Sequence, residues 1–594
     1  MTIAPMQKMR LYGRWRDKGA AVLGLQELGM VEIITREGAP AIPDTSPPDL
    51  VARGIKALRY LENAHPKRPI ARFTEDVDVE ALVEEILTTR DRLREVSDQI
   101  DALEEKITTL TPFGEISDAE TAALGGYRLW GYHLPLKVVE TLPPELIYQE
   151  LGRDGKEARV VVVAKEAPAA ALLPYPAILL GESLHRLARA REAAEIERDT
   201  LRDTRTRLTR YRGLLRTHQV KFQDKQARKH ALRQMQDEDR FFWLEGWAPA
   251  SAADSLAKFA EANGLAVEFT EPEEQDTVPT LLTNPPAYAG GEALVAFYQT
   301  PGYRTVDPSR VLFFSFPCFF AMIMADAGYA LLLILALMLG WKKLSRKASL
   351  APMRPLLVLL VSVSLIYGMA CGSYFGMAPP PGSLLAAVAI LDPRDVNTML
   401  VISILVGCAH LLIAHGMMLC SSAPRPRRIA ALGCMVGMMG ALVLWQGGEA
   451  LATLAYALFA AAALLLGYGG SARKVTGMKT LLQRVAEGFL SLTGITKLFG
   501  DVMSYMRLFA LGLAGASLAM TFNDLAAGIH ESQPGIGLIF ALIVLLVGHG
   551  LNLTLALMGG VVHGLRLNYI EFFNWSLGAE GRPFAPLHRK ERLS

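Results

Sequence analysis

The sequence predicts an α-helical polytopic membrane domain joined to a cytoplasmic α+β domain, which has two lobes on a long antiparallel coiled-coil stalk. Apolar runs of membrane-spanning length are confined to the second half of the 594 residues. Charge is also divided unevenly. The residues before Val311 carry 41 Lys and Arg against 48 Asp and Glu, whereas the remainder carry 20 against 11. This division excludes a single globular enzyme domain, a disordered chain and a basic nucleic-acid-binding domain.

The two helices of the stalk are predicted over residues 76–111 and 182–240. From Val79 to Leu110 the chain has no proline or glycine, and apolar residues recur at steps of seven or of alternating three and four. This spacing is the a/d pattern of a coiled coil. The second segment repeats the pattern in part and, at about 1.5 Å per residue, would span ~80 Å as one helix.

A distal lobe is predicted between the stalk helices, over residues 112–181, because residues 127–132 and 160–164 are rich in strand-forming side chains. Residues 1–75 and 241–305 would then meet as a base lobe and complete a cytoplasmic domain of residues 1–305. The N-terminus has no apolar segment typical of a secretory signal. We expect a strut or docking arm; two unrelated helices inside an ordinary globular domain are the alternative.

The membrane domain is predicted over residues 306–594. Apolar runs long enough to cross a bilayer lie at residues 355–375, 398–420, 429–445, 451–468, 498–525 and 536–569. The run 311–341 is long for one span and short for two. Connections rich in Lys and Arg alternate with connections poor in them, and the positive-inside rule places the basic ones in the cytoplasm.

The number of spans follows from this alternation. If the N-terminal half is cytoplasmic, an even number of crossings must precede Lys342, so the run 311–341 is predicted to turn near Asp326. The total is then eight spans, with both termini in the cytoplasm and the last two helices long and tilted. Seven spans, or a re-entrant hairpin at residues 311–341, are the alternatives.

Two arginines, Arg507 and Arg566, lie within the last two apolar runs. A guanidinium at membrane depth costs at least ~2.5 kcal/mol on insertion scales, so it should face protein or water. Arginine stays protonated and cannot relay protons, but a fixed positive charge attracts a moving carboxylate and repels a cation. Snorkelling of either side chain to the interface is the alternative.

Polar residues accompany both arginines and are the candidate residues of two ion half-channels. Asn552, His563 and Arg566 are spaced so as to share one helical face. The sequence contains no nucleotide-binding P-loop, and neither a metal, a cofactor nor a catalytic residue is predicted. The complete candidate set beside the arginines is Glu487, Asp501, Ser504, Tyr505, Asn523, His549, Asn552, His563 and Glu571.

Residues 500–514 (GDVMSYMRLFALGLA) closely resemble the seventh-span signature of the membrane stator of V/A-type rotary ATPases, the subunit I or subunit a family. Residues 563–572 (HGLRLNYIEF) resemble the eighth-span signature of the same family. Weaker matches at residues 245–249 (EGWAP), 278–282 (VPTLL) and 319–329 follow in the order of the family, so the resemblance covers nearly the whole chain.

The resemblance implies a membrane subunit that is not catalytic by itself, in an ATP-driven ion pump or ATP synthase of a bacterial or archaeal cell membrane. Protons or sodium ions would pass between this subunit and a rotating ring of proteolipid subunits, each with one carboxylate. Arg507 and Arg566 would face the ring and block a leak between two offset half-channels. The cytoplasmic lobes would bind peripheral-stalk subunits, which connect to the soluble ATPase head.

The sequence also departs from the family pattern, because Gly515 and Ala556 stand where some relatives carry histidine and glutamate. The main alternative function is a self-contained secondary transporter or channel with a cytoplasmic coiled-coil regulatory arm. The two halves of the membrane domain show no corresponding pair of broken segments, which inverted repeats would produce. A membrane-anchored scaffold without transport is the third possibility.

Overall fold

The computed structural model describes residues 2–35, 49–72, 77–116, 123–166, 172, 174–347, 350–392, 394–471, 473, 476–533 and 535–590. The chain divides into two compact units. One unit comprises Met1–Ile34 and Met235–Leu587, and the other comprises Thr35–Gln234 and His588–Ser594. The predicted lobe boundary at residue 75 lies outside the described residues, and the division into base and distal lobes stays a prediction.

The first half of the chain contains both strands and helices. In chain order they are β1 (Met6–Arg14), α1 (Lys18–Leu28), β2 (Glu32–Ile33), α2 (Asp49–Glu62), α3 (Val79–Leu110), β3 (Arg128–Pro135), α4 (Leu136–Val139), β4 (Ile147–Asp154), β5 (Glu157–Ala164), β6 (Ile178–Leu180), α5 (Leu184–Leu208), α6 (Arg212–Gln234), β7 (Gln236–Glu238), β8 (Phe241–Pro249), α7 (Ala253–Ala262), β9 (Ala266–Thr270) and α8 (Ala289–Tyr298).

The regular elements in the described part of the second half are all helices, joined by loops. Its elements are α9 (Ser309–Met324), α10 (Ala327–Arg346), α11 (Arg354–Ala370), α12 (Leu384–Val388), α13 (Val396–Cys420), α14 (Arg425–Gly447), α15 (Ala452–Gly469), α16 (Met478–Ser491), α17 (Gly494–Ser504), α18 (Met506–Ser532), α19 (Ile536–Arg566), a π-helical turn (Leu567–Phe572) and α20 (Phe573–Ser576).

In the unit that contains Thr35–Gln234, α3 packs antiparallel against α5. Val96 and Ile100 of α3 are buried against Ala194 of α5, and Arg92 donates from Nε to Glu197 Oε1 across the pair at 2.6 Å. A 3-10 turn at Thr209–Tyr211 divides the predicted second stalk helix into α5 and α6. The structure therefore contains an antiparallel helix pair, while its coiled-coil character stays a prediction.

The same unit contains a four-stranded antiparallel sheet in the order β4-β5-β3-β6. Successive side chains of a strand point to opposite faces, and alternate residues of β5 (Ala158, Val160 and Val162) are buried. They pack with Tyr132 and Leu134 of β3. The strand-forming segments of the sequence thus lie in one sheet with one buried face.

The other unit begins with a five-stranded sheet in the order β2-β8-β1-β9, with β7 paired to β8. A segment that follows the last helix, residues 578–587, packs on this sheet, and we name it the C-terminal strap. Phe584 of the strap packs with Met6 and Trp247, and Arg582 forms an ion pair with Glu32 of β2. The beginning and the end of this unit are therefore joined.

Seven helical segments among the described residues are long and apolar enough to cross a membrane: Ala327–Arg346, Ala351–Ala370, Val396–Cys420, Arg425–Gly447, Glu449–Gly469, Met478–Ser532 and Ile536–Ser576. The remaining apolar helix, α9, has 16 residues, or ~24 Å at 1.5 Å per residue. It is separated from α10 at Asp326, near the predicted turn, where Ala325 adopts a left-handed conformation with φ 46°. The count of eight spans stays a prediction.

The last two segments, with 55 and 41 residues, are each longer than the roughly 20 residues that cross a hydrocarbon core. The first of them is interrupted between α16 and α17 and again at Tyr505, between α17 and α18. Gly512 allows α18 to approach α9 closely, because a Cβ atom there would lie 2.7 Å from the Met322 carbonyl oxygen. Gly548 likewise accommodates the Phe522 ring where α19 packs on α18.

Candidate functional site

The two membrane arginines lie on the packed helices α18 and α19, within range of each other's charge. Arg507 is in the first turn of α18, and Arg566 is the last residue of α19. The Arg566 side chain is 48% exposed, and its Nε atom is 3.9 Å from Glu571 Oε1. Arg507 is partly buried, and its Nη1 atom has no hydrogen-bond partner among the described residues. Two fixed positive charges therefore share one region of the helix pair.

A first group of polar side chains surrounds the arginines where the chain leaves α19, and we name it the arginine-side cluster. Glu571 lies in the π-helical turn and is only 2% exposed. Such turns shift the helical register and occur frequently at functional sites. Asp501 accepts a hydrogen bond from Trp575 Nε1 at 2.7 Å. Ser504 lies one turn from Asp501, and its hydroxyl donates to the Gly500 carbonyl at 3.3 Å.

Tyr505 connects this cluster to a third helix, because its fully buried hydroxyl lies 2.8 Å from Nδ1 of His410 on α13. Asn568, also in the π-helical turn, accepts from the Ser315 hydroxyl at 2.5 Å and donates to the Gly564 carbonyl at 2.9 Å. These bonds fix the π-helical turn against α9. The cluster thus brings together Asp501, Ser504, Tyr505 and Glu571 of the sequence-predicted residues.

A second group lies further along the helix pair, and we name it the tyrosine-side cluster. The Tyr329 hydroxyl lies 2.8 Å from His549 Nδ1 and accepts from Asn552 Nδ2 at 3.0 Å. His549 Nε2 lies 3.0 Å from Asn523 Oδ1, and Asn523 donates to the Phe375 carbonyl at 2.8 Å. Four helices or loops therefore contribute to one hydrogen-bonded network, which includes the predicted residues Asn523, His549 and Asn552.

Asp326 holds Tyr329 in position. The Asp326 carboxylate accepts from the Tyr329 backbone N–H at 3.0 Å and from the Ser373 hydroxyl at 2.6 Å. It also accepts from the backbone N–H groups of Phe375 and Gly376 at 3.1 and 2.9 Å. Charge-assisted bonds of this kind are the stronger ones, so the carboxylate fastens the start of α10 to the 373–376 loop.

A cavity of about 360 Å³ lies against this loop, and a second cavity of about 390 Å³ lies between α18 and α19. The second cavity is lined by Asn552 of the tyrosine-side cluster and by His563, which is within range of both arginines. Gly515 and Ala556 also line it. The small residues at these two positions leave open space between the two clusters.

Glu487 lies apart from both clusters. It accepts from the Ser471 hydroxyl at 2.5 Å and from Arg473 Nε at 2.7 Å, on the surface of α16. Three residues that contact the clusters, Tyr329, His410 and His415, are missing from the sequence-predicted set. His410 and His415 could have been predicted from the sequence, because they are titratable residues inside an apolar run, as His549 is. Tyr329 could not, because its role depends on contacts between distant segments.

The chain is similar in sequence to several known proteins. No family model matches the chain. The V-type ATP synthase subunit I of Chlamydia pneumoniae is 26% identical over 97% of this chain and 95% of its own length. Subunit I 1 of the V-type ATP synthase of Treponema pallidum is 27% identical, over 96% and 97%. The A-type ATP synthase subunit I of Methanocaldococcus jannaschii is 30% identical over 68% of this chain and 63% of its own length.

Among solved structures, the cytoplasmic N-terminal domain of subunit I, a homolog of subunit a of V-ATPase, matches 44% of this chain and 100% of its own length. The identity is 19% and the TM-score is 0.25, which is too low to carry an argument about the fold. The relatives from Chlamydia pneumoniae and Treponema pallidum, in contrast, are similar to this chain over nearly its full length.

Proposed function

Because this chain is a homologue of subunit I of V/A-type ATP synthases, we propose that it is the ion-translocating stator of a rotary ATPase. It forms two half-channels against a rotating ring of carboxylate-bearing proteolipid subunits. It is an integral membrane protein of a bacterial or archaeal cell membrane, with both termini in the cytoplasm. It does not hydrolyse ATP itself; partner subunits of the soluble head do so.

The observation that carries this proposal is the presence of two separate polar clusters along the helix pair, one around the two arginines and one further along. Arg507 and Arg566 share one charged region, with the tyrosine-side cluster further along the pair and the arginine-side cluster around them. An ion enters through one cluster, neutralises a carboxylate of the ring, and leaves through the other after the ring has turned. The guanidinium groups keep the facing carboxylate ionised and repel cations, which prevents a direct leak.

Each cluster is assigned to one side of the membrane by the predicted orientation. The tyrosine-side cluster contacts the turn at Asp326 and the loop at Phe375, which are predicted to face outward. The arginine-side cluster lies near the C-terminal end, which is predicted to be cytoplasmic. Exposed apolar side chains of α19, among them Leu546, Val547 and Met558, provide the surface on which the helices of the ring slide.

The cytoplasmic half supplies the mechanical connection. This half contains the antiparallel pair of α3 and α5 and the four-stranded sheet. We propose that they bind peripheral-stalk subunits, which connect the stator to the ATPase head and resist the torque of rotation. The alternative, a self-contained secondary transporter or channel, assigns a regulatory role to the same helices.

The test is the variant Arg507→Ala, examined in inverted membrane vesicles that contain the whole complex. We expect ATP-driven ion pumping, measured with a proton-sensitive dye and with radioactive sodium, to fall by more than tenfold while the complex still assembles. Arg346→Ala is the control, because Arg346 is exposed at the end of α10. Normal pumping by Arg507→Ala, or ion transport by the purified chain alone in liposomes, would contradict the stator proposal.

A further inference from the structure

Two buried histidines on α13 contact the arginine-side cluster and have no part in the function described so far. His410 and His415 are 5% and 1% exposed. The His410 ring stacks on Phe572, with ring centroids 4.4 Å apart, and the His415 ring lies 4.8 Å from that of Trp575. Phe572 directly follows Glu571, and Trp575 donates to Asp501. Both histidines therefore pack against aromatic residues that adjoin the carboxylates of the cluster, Phe572 in sequence and Trp575 through its hydrogen bond.

Several polar atoms in this region are buried without a hydrogen-bond partner among the described residues. A buried donor or acceptor left unsatisfied costs ~1–3 kcal/mol, and native proteins rarely leave such atoms unpaired. Where they occur together in a polar region, ordered water usually satisfies them. The atoms concerned are His410 Nε2, His415 Nε2, Glu571 Oε2, Ser576 Oγ and Arg507 Nη1.

The unpartnered atoms are arranged along the length of α13. His415 is the nearer of the two histidines to Cys420, where α13 ends before the basic segment at Arg425. His410 lies five residues deeper, or ~7.5 Å along the helix, at the level of Tyr505 and the π-helical turn. The unpartnered atoms therefore extend from the predicted cytoplasmic end of α13 towards Glu571 and Arg507.

We infer that α13 is the third wall of the cytoplasmic half-channel, and that His415 and His410 line a file of water leading to Glu571 and Arg507. A neutral imidazole offers one donor and one acceptor, so each ring has a site for water at its unpartnered Nε2 atom. The Tyr505 hydroxyl orients His410 through Nδ1 and leaves Nε2 for water. The inference rests on the proposed function, since it names the wall of a channel proposed there.

The test uses single cysteines in the assembled complex, after the five native cysteines have been replaced by serine or alanine. His415→Cys, His410→Cys and Glu571→Cys are compared with Ile413→Cys, whose position on the same helix is 48% exposed on the apolar surface. Inverted vesicles are treated with Ag⁺ and with a charged methanethiosulfonate. We expect the first three cysteines to react at least tenfold faster than the fourth.

The outcomes separate the two proposals. If Glu571→Cys reacts while both histidine positions react no faster than Ile413→Cys, the water file along α13 is wrong and the stator function stands. If none of the three reacts, the cytoplasmic half-channel itself is misplaced.

A second pair of variants covers the case in which a cysteine variant does not assemble. His415→Asn keeps a hydrogen-bonding side chain and should retain most of the pumping activity, whereas His415→Leu should lower it several-fold. Equal pumping by the two variants, at equal amounts of assembled complex, would overturn the inference.

Discussion

Arg507 lies at the junction of two helices. α17 ends at Ser504 and α18 begins at Met506, so Arg507 is in the first turn of α18. Its guanidinium lies within range of the charges of Arg566 and Glu571. The variant Arg507→Ala therefore removes a positive charge that lies beside a second arginine and a buried carboxyl group.

The role of the tyrosine-side cluster can be tested by removing a single oxygen atom, the hydroxyl of Tyr329. Its hydroxyl joins His549 and Asn552, so Tyr329→Phe leaves both without that partner while the ring keeps its packing. We expect ATP-driven pumping to fall several-fold with the amount of assembled complex unchanged, as measured by initial rates in vesicles.

The matched control for this prediction is Tyr367→Phe. The Tyr367 hydroxyl contacts two sulfur-containing side chains, Met399, whose Sδ atom lies at 3.9 Å, and Cys371. We expect its loss to leave pumping near the level of the unaltered complex. Equal effects of the two variants would argue against a role of the tyrosine-side cluster in ion passage.

At the scale of the element, several helices lie where local signals predict them. α3 runs from Val79 to Leu110, the segment without proline or glycine, because no residue within it breaks the helix. The start of α10 coincides with the turn predicted near Asp326. These features depend on residues that are neighbours in the sequence, so they can be derived from it.

Other elements depend on contacts that the sequence does not reveal. The π-helical turn is fixed by Ser315, which is 253 residues from Asn568. The bond between His410 and Tyr505 joins residues 95 positions apart. Glu487 was selected from its place beside an apolar run, and its actual partner, Arg473, is in the preceding connection. Composition and spacing indicate that these residues are unusual, but not which residue each one meets.

The helix pair of α3 and α5 gives a prediction for its own stability. Ile100 is 3% exposed and packs against α5, and replacing a buried isoleucine by alanine usually costs about 2–5 kcal/mol. We expect Ile100→Ala to increase the rate of limited proteolysis within α3 and α5. Asp101→Ala, at the exposed neighbouring position, should leave that rate unchanged, and similar rates for the two variants would contradict the packing described.

At the scale of the whole molecule, the division of charge and hydropathy is the most informative signal in the sequence. It indicates that the candidate membrane-spanning helices lie in the second half, and all seven of those among the described residues begin at Ala327 or later. It gives no indication that the last residues return to the first sheet. The strand β2 and the C-terminal strap are far apart in the sequence. Each is too short to show a hydropathy pattern from which their contact could be predicted.

The C-terminal strap can be tested through its ion pair. Glu32 is 6% exposed and accepts from Arg582 and from the Ala585 backbone N–H. Removing one partner of a buried acceptor costs about 1–3 kcal/mol. We therefore expect Arg582→Ala to lower the thermal unfolding temperature of the purified complex.

Glu580→Ala is the control, since the Glu580 side chain is exposed in the same strap. We expect it to leave the unfolding temperature unchanged. An unaltered temperature for Arg582→Ala as well would show that the strap is held by its backbone bonds and by Phe584 alone.

The strap also has a consequence for biosynthesis. Glu32 and Arg582 are 550 residues apart, and ribosomes add ~5–20 residues per second, so roughly 0.5–2 minutes separate their emergence. The Glu32 carboxylate therefore lacks its arginine partner while the membrane segments are still being synthesised and inserted. Closure of the strap thus marks a chain that has been translated past Arg582, and a chain that stops earlier leaves the buried Glu32 carboxylate without this partner.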